Sequence, residues 1–483
     1  MKRLRDHRRC LAVVWLASLL LGAASSTAQP GEPSFREIPL SIDSGAIDSD
    51  GDRAAVVWSA VVEIPDATWI QLRFGPATQL DAADDSSVVR ISSFDDFATQ
   101  NLDQSSLVSW RGSSAYFNGG RLVIELIAAP GTKGNRIDLT GARAGVMDDA
   151  LGPASICGPT DDRLLLDDPR VGRSWPSACT AFMIDDRHRQ FLTAGHCAEI
   201  FQTVGEVIEF NVPFSNIEGT PRHPPPEDQY PVDPESIQFA SNGEGDDWAY
   251  FGCGLNSETG LTAFLVQGDF LSLGDMAPPD TGQSIRVTGY GSVRNPISPQ
   301  WNLVQKTHVG PYRGVVGTVV RYTVDTTSGN SGSPVFDQEA MEVIGIHTHG
   351  GCDISGGSNI GTAINHPDLL FALSSPRGVC GPFDLTVSQL IAGELATATA
   401  SGVAPGATVY FGYSLTGLGE TIIEPLGVVM RLDAPRLIDS AVADADGVAE
   451  IQGMTPQSLQ NRLIVLQAAT VGQTSTVRRQ RVN

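Results

Sequence analysis

The sequence predicts an all-β protein of several packed units. Three observations carry that expectation. Short runs that alternate apolar and polar positions fill both ends of the chain, as at Arg121-Leu122-Val123-Ile124-Glu125-Leu126. A period of two is the pattern of a strand with one buried face. Clusters of Gly, Asp, Ser and Pro separate the runs, and 51 glycines and 30 prolines suit many turns. Finally, 483 residues are too many for one ordinary domain and about right for three, and 41% hydrophobic residues suffice for several cores.

The elements follow in chain order. Residues 1–28 read as an export signal. Lys2, Arg3, Arg5, Arg8 and Arg9 make a basic start, residues 11–23 are apolar, and Ser26-Thr27-Ala28 is a small-residue cleavage site. The apolar run is short for a bilayer span. Residues 29–150 alternate in short runs such as Trp69-Ile70-Gln71-Leu72-Arg73-Phe74 and are expected to form a β-sandwich-like module or a propeptide. Asp48-Ser49-Asp50-Gly51-Asp52 has the look of a calcium loop but lacks the distant Glu, so an acidic turn is expected. A small-residue and Pro/Gly linker follows, then a polar stretch containing Arg170-Val171-Gly172. Residues 155–380 form the central unit. Within them, residues 222–234 read as a proline-rich surface loop. Residues 384–483 again show short strands and turns, and a second sandwich-like unit is expected there.

The central unit carries the chemistry. Asp325-Thr326-Thr327-Ser328-Gly329-Asn330-Ser331-Gly332-Ser333-Pro334 is a tight Gly/Ser/Asn turn that runs into an apolar strand. Ser331 is the candidate nucleophile, and a serine hydroxyl needs a base to take its proton. The flanking glycines allow backbone N–H groups to point inward, with Gly329 and Ser331 as the expected oxyanion donors. Thr193-Ala194-Gly195-His196-Cys197 places a histidine after an apolar strand. Asp246-Asp247-Trp248-Ala249 places carboxylates at the mouth of another. The order His, Asp, Ser differs from that of subtilisin and of the α/β-hydrolases.

These three stretches together resemble the trypsin/chymotrypsin superfamily, most closely the bacterial glutamyl endopeptidases. Asp325 to Pro334 and Ile344-Gly345-Ile346-His347 carry that closer likeness; Ser328 stands where the family usually has glycine. The resemblance spans roughly residues 157–380 and implies a chymotrypsin-like double β-barrel. It implies a secreted serine endopeptidase with His196 as base, Asp247 rather than Asp246 as its partner, and Ser331 as nucleophile. It also implies a bridge between Cys179 and Cys197. For the substrate pocket it implies Asp325, Thr326, His347 and Thr348, with His349 at the entrance. His347 and Thr326 would hold a Glu carboxylate, and cleavage after Glu is the favoured expectation. Asp325 taken alone would predict cleavage after Arg or Lys. A non-catalytic binding protein on the same fold, or an esterase, is the rival class. Arg170-Val171-Gly172 superficially resembles the activation site of trypsin zymogens. In those proteins the freed amine pairs with an aspartate before the nucleophile, and here that position is Asn330.

Charge and cysteine count bound the rest. A net charge of −23 argues against nucleic acid and against an anionic membrane surface. The expected partners are protein or peptide substrates, with a surface or matrix ligand open for the flanking units. No cofactor and no metal is expected; no cysteine pair has zinc-type spacing. Seven cysteines become six if Cys10 leaves with residues 1–28, an even count that suits disulfides. Beyond Cys179–Cys197, the four cysteines Cys157, Cys253, Cys352 and Cys380 allow three pairings, of which Cys157–Cys352 with Cys253–Cys380 is the one expected.

Overall fold

Alternation of burial organises the N-terminal unit. In Arg121–Ala128 every second residue is buried, from Leu122 through Ala128. This strand joins Ala55–Glu63, Val88–Ser93 and Thr99–Leu102 in one sheet, while Phe35–Asp43, Asp138–Gly145, Trp69–Phe74 and Phe117–Asn118 form the other. Ile70, Leu72, Val89, Ile91, Leu122, Ile124 and Leu139 fill the space between them. The computed structural model describes residues 27–28, 35–81, 87–146, 154–186, 190–201, 205–377, 383–404, 406–419, 421–444, 447–471, 473–475 and 477–483. Most of the expected export signal lies outside them. Among the described residues no helix is long and apolar enough to cross a membrane.

Two six-stranded barrels follow. The first closes through Val171–Trp175, Cys179–Met183, Phe191–Thr193, Asp247–Cys253, Gln229–Ser241 and Val207–Glu209. Its strands are buried on nearly every residue of Cys179–Met183 and Asp247–Cys253, because side chains fill a small barrel from within and neighbours cover it outside. The second ring runs through Ser284–Gly289, Lys306–Val316, Val319–Tyr322, Asn359–Ala363, Glu342–Gly350 and Pro334–Asp337, and closes by pairing of the last with the first. The C-terminal unit packs a three-stranded sheet and a five-stranded sheet over Leu385, Ala400, Val409, Phe411, Ile464 and Leu466.

The N-terminal sandwich shares its core with the first barrel. Trp69 packs edge-on against Trp175, with ring centroids 6.0 Å apart, and Tyr116 stacks on His223 at 5.2 Å. Main-chain bonds cross the same boundary: Tyr116 N donates to Gln229 Oε1 at 2.9 Å, and His223 N donates to Asn118 Oδ1 at 2.8 Å. Beneath them Arg173 and Glu209 form a fully buried pair at 2.7 Å, and His223 Nδ1 lies 2.7 Å from the other Glu209 oxygen. Trp69 and Tyr116 of the sandwich pack directly on His223. Residues 222–234 correct the expectation of a free surface loop. His223, Pro224 and Pro226 are buried at this boundary, and Gln229–Ser241 is a barrel strand.

In the acidic stretch, Asp50 sits 2.5 Å from Lys133 Nζ, and Asp48 accepts the Gly134 N–H. Cys157–Cys352 and Cys179–Cys197 are bridged. Cys253–Cys380 is a correction. Cys253 is a free thiol packed in the first barrel, where burial raises its pKa well above the usual thiol range; Cys380 lies outside the described residues.

Candidate active site

The two barrels meet where the sequence placed its candidate residues. His196 stands in the short helix Gly195–Phe201, which leaves the strand Phe191–Thr193. The Cys179–Cys197 bridge ties that helix to the neighbouring strand. Asp247 opens the strand Asp247–Cys253 and is 1% exposed. Its carboxylate reaches His196 twice, accepting the backbone N–H at 2.9 Å and contacting Nδ1 at 2.6 Å. With Nδ1 engaged, Nε2 is the free ring nitrogen. The Asp247 main chain is fixed from the second barrel, where Thr362 Oγ1 donates to its carbonyl at 2.8 Å. Asp246, the alternative acid, points elsewhere: it faces His366 Nε2 at 3.2 Å and accepts from Asn242.

Ser331 is completely buried at the tip of the turn before Pro334–Asp337. Its carbonyl accepts from Thr180 N at 2.8 Å, and the next amide, Gly332 N, donates to His347 O at 2.8 Å. The turn is thereby pinned to one strand of each barrel. Ser331 Oγ and His196 Nε2 are both buried and neither has a hydrogen-bond partner among the described residues. A buried polar atom without a partner is costly, so each of the two stands out against the bonded groups around it.

The backbone of the turn is aimed. Ser292 N holds the Ser328 carbonyl at 2.7 Å, and a trans peptide then points the Gly329 N–H the opposite way. Thr180 Oγ1 holds the Gly329 carbonyl at 2.8 Å. Gly329 takes φ +96°, a conformation that requires glycine. The N–H groups of Gly329 and Ser331 have no acceptor among the described residues.

The expected pocket residues are present but differently employed. Asp325 is 1% exposed, and its two oxygens accept the backbone N–H groups of Cys157 at 2.7 Å and Asp162 at 2.8 Å. Thr326 Oγ1 accepts from Asn359 Nδ2 at 2.9 Å. His347 is fully buried, with Nδ1 2.6 Å from the Tyr322 hydroxyl. Burial, with His349 and His196 nearby, pushes its pKa down to about 3, so the ring is neutral near pH 7. Thr348 Oγ1 donates to Ile360 O at 3.4 Å and meets His349 Nδ1 at 2.8 Å. His349 also lies 3.9 Å from the Asp247 carboxylate, and burial lowers its pKa as well. Main-chain atoms of this strand form a pairing edge: Thr27 and Ala28 lie antiparallel against Gly350 and His349.

Sequence reading missed Thr362, Tyr322, Asn359 and Arg163, which support the site from a distance in sequence. Arg163 Nη1 donates to Asn330 Oδ1 at 3.1 Å.

Comparison with known proteins agrees with this geometry. Residues 179–346 match the family model of the trypsin-like peptidase domain, a stretch that contains His196, Asp247 and Ser331. Over 79 residues, 16% of this chain, the sequence is 38% identical to the glutamyl endopeptidase of Staphylococcus aureus strain MW2, covering 22% of that protein. The same enzyme from strain MRSA252 matches at 38% over 79 residues, 20% of its length. The chain thus spans about a fifth of the length of these curated relatives. Among solved structures, a Glu endopeptidase aligns at TM-score 0.34 and 17% identity, over 45% of this chain and 98% of that one. The Vibrio cholerae VesB protease aligns at TM-score 0.30 and 11% identity, over 67% of this chain and 100% of that one.

Proposed function

We propose that this chain, which carries a trypsin-like peptidase domain over residues 179–346, is an exported serine endopeptidase that cleaves after Glu. The observation that carries the reading is a buried, unpartnered Ser331 Oγ together with a His196 whose Nδ1 is engaged by Asp247 at 2.6 Å and whose Nε2 has no partner among the described residues. His196 Nε2 takes the Ser331 proton as Oγ bonds to the peptide carbonyl carbon. Asp247 stabilises the imidazolium that results. The N–H groups of Gly329 and Ser331 hold the oxyanion, each worth about 3 kcal/mol by analogy with other enzymes. His196 then protonates the leaving amine, and water clears the acyl-enzyme by the same route in reverse. The substrate backbone adds to the strand edge at His349 and Gly350 in place of residues 27–28, which pair with that edge here.

Two findings favour Glu over Arg or Lys. The Asp325 carboxylate is taken up by two backbone amides, which leaves it poorly placed to receive a cation. His347 offers a neutral imidazole in a buried site; an imidazole N–H can donate to a carboxylate, and a carboxylate beside it would favour its protonation. Export is supported by the basic, apolar and small-residue order of residues 1–28 and by two disulfides.

The test is a peptide-library digest with purified protein and a Ser331→Ala control, read by mass spectrometry. Cuts clustered after Glu and absent from the control are expected. Cuts after Arg or Lys would return the pocket to Asp325, and no cuts by the wild type would favour a binding protein on this fold.

A further inference from the structure

Arg163 is a buried cation with every N–H bonded, and the mechanism above does not use it. Its side chain is 2% exposed. A guanidinium has five N–H bonds to place, and all five find acceptors. Nε and Nη2 reach the two oxygens of Asp161 at 2.9 and 2.7 Å. Nη2 also donates to Ser292 O at 2.8 Å, and Nη1 donates to Thr327 Oγ1 at 2.7 Å and Asn330 Oδ1 at 3.1 Å. Burial opposes the charge on Asp161, yet the Arg163 guanidinium outweighs it and leaves that carboxyl below its usual range.

The three acceptors apart from Asp161 all govern the turn that ends in Ser331. Asn330 Oδ1 also accepts Thr327 N at 3.0 Å, and Asn330 N donates to Thr327 O at 2.9 Å, so the Thr327–Asn330 segment is one closed unit around the guanidinium. Thr327 Oγ1 donates to Ser292 O at 2.8 Å. Ser292 N in turn holds the Ser328 carbonyl, the bond that aims the Gly329 N–H. Room for the cluster is reserved by Gly291, where any side chain would collide with Asn330 Oδ1, Arg163 Nη1 and Thr327 Oγ1.

The segment around Arg170 is bonded in a way that does not suit a cleavage switch. Arg170 pairs with Asp168 through two bonds of 2.7 and 2.8 Å. Val171 is 1% exposed; its N–H donates to Asp168 O, and its carbonyl accepts from Gln305 Nε2 at 3.0 Å and Tyr290 Oη at 3.1 Å. A new terminus at Val171 would have to leave the strand Val171–Trp175 to reach Asn330, a position the guanidinium already fills.

We propose that Arg163 is a positioning residue that holds the Gly329 and Ser331 N–H groups in their donating orientation in the uncut chain, so that cleavage after Arg170 is not required for activity. The proposal rests on the endopeptidase reading for its kinetic consequences but not for its structural one.

The experiment uses the full mature chain as wild type, Arg170→Gln, Arg163→Ala and Arg163→Lys. Each is assayed on fluorescein-labelled casein and on a peptidyl-Glu p-nitroanilide, and amide hydrogen exchange is followed in parallel. Arg170→Gln is expected to stay uncut and keep kcat within about twofold. Arg163→Ala is expected to lose about 100-fold in kcat, the scale of one oxyanion donor, with KM changed less than about threefold. Arg163→Lys should retain more activity than Arg163→Ala, and millimolar ethylguanidinium should restore activity to Arg163→Ala. Exchange should quicken at Gly329 and Ser331 while barrel strands stay protected. Full kcat in Arg163→Ala, or an inactive Arg170→Gln, would overturn the proposal. So would a loss of activity without rescue in which exchange rises throughout both barrels. If the wild type cleaves neither substrate, the endopeptidase reading fails by itself. The exchange rates at Gly329 and Ser331 in Arg163→Ala then decide the positioning role, with unchanged rates overturning it.

Discussion

Asp325 holds Cys157 by its backbone: the buried carboxylate accepts the Cys157 N–H at 2.7 Å, across 168 residues of sequence. Its second oxygen accepts Asp162 N, and His308 Nδ1 stands 3.3 Å away. A carboxylate bonded in this way fastens the segment between the sandwich and the first barrel to the floor of the candidate pocket. Asp325→Ala is therefore expected to leave the preference for the cleaved residue unchanged. It should lower stability by about 2 to 5 kcal/mol, because two buried amides lose their acceptor. Denaturant unfolding and the library digest read the two effects separately; a switch in preference without loss of stability would contradict the assignment.

Ser331→Ala is expected to give a folded protein with no measurable hydrolysis, since Ser331 Oγ makes no hydrogen bond on which the fold depends. Circular dichroism and labelled casein check both parts. Substantial residual hydrolysis would remove Ser331 from the mechanism.

His347→Ala should reduce kcat/KM for Glu substrates at least tenfold while sparing weak activity on others. Tyr322→Phe should act in the same direction with a smaller effect, because it removes the hydroxyl that orients the ring at 2.6 Å. Steady-state kinetics on paired Glu and Gln p-nitroanilides would expose an equal drop on both, which would count against a carboxylate pocket.

The sandwich is expected to behave as part of the enzyme's core. Trp69 is 2% exposed and touches Trp175 of the first barrel. Trp69→Ala should cost about 3 to 5 kcal/mol. Removing residues 35–146 should abolish folding, because it uncovers Arg173, Glu209 and His223. A truncated chain that folds and cleaves would show the sandwich to be a removable leader.

Glu206 gives a pH signature. Burial raises its pKa from 4.5 to about 7, despite hydrogen bonds from Ser174 and Ser177. A carboxyl whose folded pKa is raised binds more protons folded than unfolded. Its contribution is fully present below about pH 4.5 and is lost as pH rises toward 7. Glu206→Gln should then stabilise the protein at pH 8 by about 3 kcal/mol relative to its effect at pH 4.5. Melting curves at the two pH values measure it, and a difference that is flat with pH would refute it.

Much was legible because it is local. Candidate chemistry that sits in contiguous stretches can be read one residue at a time: Thr193 to Cys197, Asp247 with Trp248, and Gly329 to Ser333. Alternation over Arg121–Ala128 fixed a half-buried strand for the same reason, since period two is a property of the backbone itself. The Cys179–Cys197 bridge spans 18 residues and followed from its resemblance to a known local pattern.

The amino-acid sequence by itself determined an all-β chain with a histidine, an aspartate and a Gly/Ser/Asn turn in a particular order. Only the tertiary structure decided which partners the buried charges take. Asp325 met Cys157 and Asp162 instead of an open pocket, Asn330 met Arg163 at a separation of 167 residues, and Cys253 stayed a lone thiol. A carboxylate accepts from any N–H, and a guanidinium donates to any oxygen. Their choice is made by whichever groups folding brings within about 3 Å, where burial makes an unpaired charge too costly to keep.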